Sequence, residues 1–184
     1  MGRKYKFHDN SKLYFVTFTV VSWIDAFIRQ EYRDIIYDSL IYCQQEKDLE
    51  VYGFCMMPSH LHLIIGTEKG VLSDIVRDFK AYTSRHMRKA IEEHYEESRK
   101  EWMMWMMKRA GLKNERNKDW QFWQQHNHPI ELNNHRIALQ RLDYIHNNPV
   151  VSGFVEKAED WVHSSAGDYC GVRKGKIELN FLDY

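Results

Sequence analysis

Cysteine is scarce and unpaired in this sequence. Cys43, Cys55 and Cys170 are odd in number, widely spaced and form no CxxC pair. That argues against a disulfide framework or a Cys-rich zinc site, and it fits reduced thiols in a cytoplasmic protein. No apolar run reaches the roughly 20 residues of a membrane helix, so no membrane partner is expected. Met1 to Lys6 is basic but leads into no apolar stretch, so no signal peptide is expected. Net charge is also missing: 26 Lys and Arg balance 26 Asp and Glu. A protein coated in positive charge for indiscriminate nucleic-acid binding is therefore disfavoured. Internal repeats and low-complexity linkers are absent too. The 184 residues suit one domain spanning 1–184, with a poorly legible insertion at about 98–118 and a tail after about 170.

What is present is aromatic and apolar matter, 14% and 43% of the chain, enough for a globular core. The charge that exists is segregated. Arg77, Lys80, Arg85, His86, Arg88 and Lys89 crowd one stretch, and Glu92, Glu93, Glu96 and Glu97 follow it. Such sorting gives a neutral chain a local basic surface. Lys12 to Val21 is β-branched and aromatic and predicts a strand. Helical spacing follows over Glu31 to Glu46. Leu49 to Met57 and His60 to Gly66 predict two more strands, joined at Pro58-Ser59 as a hairpin or a bent ribbon. Ser73 to about Tyr95 predicts a helix with Ser73 as its cap. The stretch Trp102 to Met107 fits either a short helix or a flap. Asp119 to Gln125 predicts a fourth strand. Asn133 or Asn134 caps a helix that Pro149 ends, and Lys176 to Leu182 fits a last strand. The order β-α-β-β-α-β, then a further helix, predicts an α+β ferredoxin-like sandwich with one added C-terminal helix. That fold hosts many functions and decides none.

The chemistry lies in two short motifs. His60 and His62, two apart on a strand, share one sheet face and suit a divalent metal. With ten histidines in the chain the bare pattern is weak, and a second one occurs at His126 and His128. The first sits in the rigid apolar ribbon MMPSHLHLIIG; the second precedes Pro129 in a loop-like stretch. Ordinary core or surface histidines are the alternative for both. In LDYIHNNPV, Tyr144 and Asn148 are four apart and share a helix face. An amide oxygen from Asn148 suits a hard cation, Mg2+ or Mn2+. The plain alternatives are a core tyrosine and a helix-end asparagine. His146 lies about 200° around the helix from Tyr144, so it points elsewhere.

PSHLHLIIG, then DFKAYTS, QFWQ, LDYIHNNPVVSGFV and EDWVHSSAGDY, five motifs in order, resemble the HUH single-tyrosine transposases of small insertion sequences. Their spacing is most similar to the branch associated with repetitive extragenic palindromes. The resemblance runs from about Leu13 to Tyr169. It implies metal binding by His60, His62 and Asn148 and a nucleophilic Tyr144. It also implies an endonuclease that cleaves and rejoins single-stranded DNA, often in hairpin form, through a 5′-phosphotyrosine intermediate. A cytoplasmic enzyme working at the bacterial nucleoid follows, and a homodimer is compatible with one nucleophile per chain. Lys80, Arg85, Arg88 and Trp123 are the candidate DNA contacts, set against a solvated helix face and core packing. Two rivals stand beside this reading. One is a non-catalytic single-stranded nucleic-acid-binding protein with exposed sheet aromatics. The other is a metal-dependent phosphohydrolase that forms no adduct.

Overall fold

A computed structural model describes residues 7–114, 119–125, 127 and 129–183. Strand β1 is Tyr14–Thr19, helix α1 Gln30–Lys47, β2 Glu50–Met57 and β3 His60–Gly66. Helices α2 (Leu72–Glu93) and α3 (Lys100–Leu112) follow, then β4 (Ile130–Glu131), α4 (His135–Val151) and the short α5 (Ala166–Tyr169). The sheet runs β2-β3-β1-β4, and every pairing is antiparallel. This is the ferredoxin-like order, with α3 inserted before β4 and α4 added after it.

Alternation along the strands divides the core. Tyr14, Val16 and Phe18 of β1, with Leu61, Leu63 and Ile65 of β3, face α1 and α2 in the larger apolar cluster. Phe15 and Ile64 point the other way, toward Leu142 and Ile145 of α4. Gly53 of β2 lets α4 come this close: a Cβ there would lie 2.5 Å from Leu142 Cδ1. The α4 helix is thereby seated against the face that carries the odd-placed side chains of β1 and the histidines of β3.

Several expectations need correction. The Asp119 to Gln125 segment is not a strand; it makes one isolated bridge, Val20 with Trp123. Its aromatics instead serve as core anchors, and Phe122 and Trp123 are buried. Regular pairing with β1 starts only after Pro129, a residue with no ladder donor. The α2 helix begins at Leu72 rather than after a Ser73 cap, because Asn10 Oδ1, distant in sequence, accepts the Leu72 N–H at 3.2 Å. Of the two expected caps for α4, Asn134 is the one used, and its side chain accepts from Ile137 N. Pro149 lies inside it, and the chain turns only at Gly153, with φ +73°. The 176–182 tail forms no strand and sends a single backbone bond, Asn180 N to Val51 O, to the β2 edge. The doubtful 98–118 stretch holds α3, with Met103 and Met107 fully buried; residues 115–118 lie outside the described set, as do His126 and His128.

Candidate active site

The β2–β3 connection is a two-residue turn at Pro58-Ser59, so His60 opens β3 directly. Strand pairing sets Thr19 opposite His60 and Thr17 opposite His62, all on the α4 side of the sheet. The two imidazoles lie edge to face with centroids 4.7 Å apart. Burial lowers His60 to a pKa of about 4. Burial, and then the charge of His60, lowers His62 to about 3. Both rings are therefore neutral bases at neutral pH, the state a metal ligand requires. The Thr17 hydroxyl lies 2.8 Å from His62 Nδ1. With Nδ1–H donated to Thr17, the lone pair of Nε2 points away from the strand.

That nitrogen faces α4. The Asn148 side-chain amide lies 3.4 Å from His62 Nε2. One turn earlier, the Tyr144 ring stands 5.6 Å from the His62 ring and 6.0 Å from Phe15. Tyr144 is 48% exposed, with its ring braced on one side by Phe15 and His62. The two sequence-derived pairs thus converge from separate elements. Three neighbours were not anticipated. The Arg141 guanidinium sits 5.2 Å over the Phe15 ring and 6.0 Å from that of Tyr144. It makes no ion pair among the described residues. Trp23, exposed, stands edge-on to His60 at 5.4 Å. Thr17 is the third. The i, i+3, i+7 stripe that selected Tyr144 and Asn148 also contains Arg141, so helical spacing offered that signal. Thr17 required the strand register, which no spacing rule supplies.

Among the described residues no group of three or more His, Cys, Asp and Glu could hold a metal ion. The polar side chain that α4 brings to His62 is an amide, that of Asn148. The family profile Transposase IS200 like matches residues 11–109, more than half of the chain. The chain belongs to this family. The matched segment of this IS200-like transposase contains His60 and His62 and stops before Tyr144. Among solved structures, it is similar to a REP-associated tyrosine transposase bound to a REP hairpin. The two chains are 18% identical with a TM-score of 0.66, covering 100% of this chain and 95% of the other. A chain solved as a candidate transposase of Deinococcus radiodurans is 21% identical, with a TM-score of 0.42, covering 80% and 95%. No curated protein matches. Among the described residues no helix is long and apolar enough to cross a membrane.

The other candidate residues of the transposase are placed elsewhere. Trp123 is buried, and its Nε1 donates to Thr83 Oγ1 at 2.9 Å. Lys80 reaches inward. Its Nζ donates to Gln124 O at 2.8 Å and to Asn127 Oδ1, fixing the segment that runs beside β1. Burial lowers its pKa to about 8. Arg88 pairs with Glu92 and Asp119 and lies over Trp120. Arg85 is exposed on α2, on the layer opposite α4. The helix α2 basic stretch and the imidazole pair therefore lie on opposite sides of the sheet. His146 is buried and its Nε2 lies 2.8 Å from Ser165 Oγ, away from Tyr144.

Proposed function

We propose that this transposase cleaves and rejoins single-stranded DNA with Tyr144 as nucleophile. The carrying observation is the convergence of Tyr144 and Asn148 of α4 on His62 of β3, at 5.6 Å between rings and 3.4 Å between polar atoms. His60, His62 and Asn148 would hold Mg2+ or Mn2+, which supplies Lewis-acid polarisation of the scissile phosphate. Tyr144, half exposed and braced by Phe15 and His62, then attacks phosphorus in line. The Tyr144 Oη–P bond forms and the P–O3′ bond breaks. The phenolic proton leaves to solvent, and the departing O3′ takes up a proton. The products are a 5′-phosphotyrosine and a free 3′-hydroxyl, and attack by such a hydroxyl reverses the step and reseals a strand without ATP. Arg141, unpaired beside the phenol, is placed to balance the negative charge of the transferring phosphate.

A hairpin next to the cleaved strand is part of this reading, supported by the family resemblance and by the solved relative's REP hairpin. The rival of a bare sheet that binds RNA through exposed aromatics fits less well. The α4 helix covers that face and Phe15 is buried beneath it. A further rival, a phosphohydrolase using activated water, forms no covalent adduct. The test mixes the protein, Mg2+ or Mn2+, and single-stranded hairpin DNA from the flanks of its own gene, resolved on a denaturing gel. A covalent protein–DNA band is expected, lost in Tyr144→Phe. A band that survives that substitution, or cleavage without a band, overturns the proposal.

A further inference from the structure

One segment at the edge of the site is costly in two ways. Ser22 and Trp23 are consecutive non-glycine residues in the left-handed region, with φ of 56° and 55°. Each such residue is disfavoured by steric contact between Cβ and the backbone. The segment also displays an indole that is 62% exposed, although Val21 and Ile24 on either side are buried. The surrounding chain holds this shape firmly. Val21 N donates to Phe122 O at 2.8 Å, Val20 N to Ser59 O at 2.9 Å and Phe27 N to Pro58 O at 2.8 Å. Strain held this firmly beside a candidate site is a signature of a functional surface. The result fixes Trp23 edge-on to His60, at 5.4 Å.

The order of rings gives the surface a direction. Tyr144 neighbours His62, His62 neighbours His60, and His60 neighbours Trp23. In-line displacement places nucleophile and leaving group on opposite sides of phosphorus. With Tyr144 attacking from the His62 end, the departing strand lies toward His60 and Trp23. An exposed indole is a stacking platform for any base, since every base has a π-face. We propose that Trp23 stacks on the base of the nucleotide immediately upstream of the cleaved phosphate, the one that keeps the 3′-hydroxyl. This rests on Tyr144 as nucleophile. Stacking there holds the 3′-hydroxyl in place after cleavage, ready for the reverse attack.

Binding and chemistry are tested separately. Anisotropy of labelled dT12 is measured with Mg2+ on Tyr144→Phe protein, and a 12-mer lacking bases serves as control. Adding Trp23→Ala is expected to weaken dT12 binding about tenfold and to leave the abasic strand unaffected. Trp23→Phe retains most of the affinity. Trp23→Gly relaxes the left-handed φ, so its urea midpoint holds or rises while binding falls as in Trp23→Ala. Wild-type affinity of Trp23→Ala for dT12, or no preference of the parent for dT12 over the abasic strand, overturns the proposal. In a strand that forms the adduct, an abasic residue just upstream of the cut slows the wild type and leaves Trp23→Ala unaffected. Equal sensitivity of both proteins also overturns it. An adduct that persists in Tyr144→Phe would instead remove the nucleophile assignment, while the Trp23 binding loss would remain measurable.

Discussion

His62 is contacted at both ring nitrogens, by Thr17 at Nδ1 and by Asn148 near Nε2. With Nδ1–H donated to Thr17, the lone pair of Nε2 faces the Asn148 amide. Removing the strand-side contact alone should leave the ring in place but less basic and less well aimed. Thr17→Val is expected to lower Mn2+ affinity by about 10- to 100-fold, read by calorimetric titration, with Thr17→Ser restoring most of it. His60 with His62, and Tyr144 with Asn148, were legible as same-face pairs because each pair belongs to a single element. Spacings of two on a strand and four on a helix are fixed by local geometry. Thr17 was not, because its place opposite His62 is a matter of register between distant strands. Trp23 was hidden for another reason: nothing in Val-Val-Ser-Trp announces a left-handed pair of residues. The inward course of Lys80 was not legible, since charge along a helix does not say which charges turn inward.

At the level of elements, α1, α2, α4 and the first three strands follow from periodicity, and α3 and the irregular stretch after it do not. An aromatic run such as Asp119 to Gln125 satisfies a strand pattern and an anchoring loop equally well. The α3 helix makes the tie between this loop and the core. Gly111 packs its bare Cα face against the Trp120 backbone, and a Cβ would lie 2.4 Å from Trp120 N. Alanine is the better helix former by about 1 kcal/mol. Gly111→Ala should nevertheless destabilise the protein by about 2 kcal/mol, because backbone has to move to admit the methyl group. Urea unfolding followed by circular dichroism checks this; a neutral or stabilising result would show that the loop yields freely. Pro149 teaches a similar lesson for α4. A proline in the last turn withholds one N–H, yet the helix runs on to Val151 and Ser152 N still reaches Asn148 O at 3.0 Å.

Across the whole molecule, acid acts on two sets of groups. Burial, with the nearby Arg33, Arg173 and Lys176, lowers His163 to about 4, and burial lowers His60, His62 and His146 to between about 3 and 4. An unfolded chain takes up protons at these histidines from about pH 6.5 downward, and the folded one does not. Stability is therefore expected to fall steadily as pH drops from about 6.5 toward 4, since the unfolded state binds more protons. His163→Gln should flatten that slope in urea melts across the range; an unchanged slope would exclude His163. Glu97 adds a second window. Burial alone would raise it, but hydrogen bonds from Arg99 and Arg29 bring it to about 2, so its contribution fades between about 4.5 and 2. The margins of the sheet carry one last consequence. On the β2 side, His163 O accepts Met56 N, Ser165 N reaches Phe54 O, and Asn180 N reaches Val51 O. On the β1 side, Phe122, Gln124 and Asn127 take up its outward amides and carbonyls, and β4 is only two residues long. Both margins are thus partly paired within the chain. A strand from another molecule arriving at β2 would find Met56 N, Phe54 O and Val51 O already engaged, so that rim is a poor template for extending the sheet.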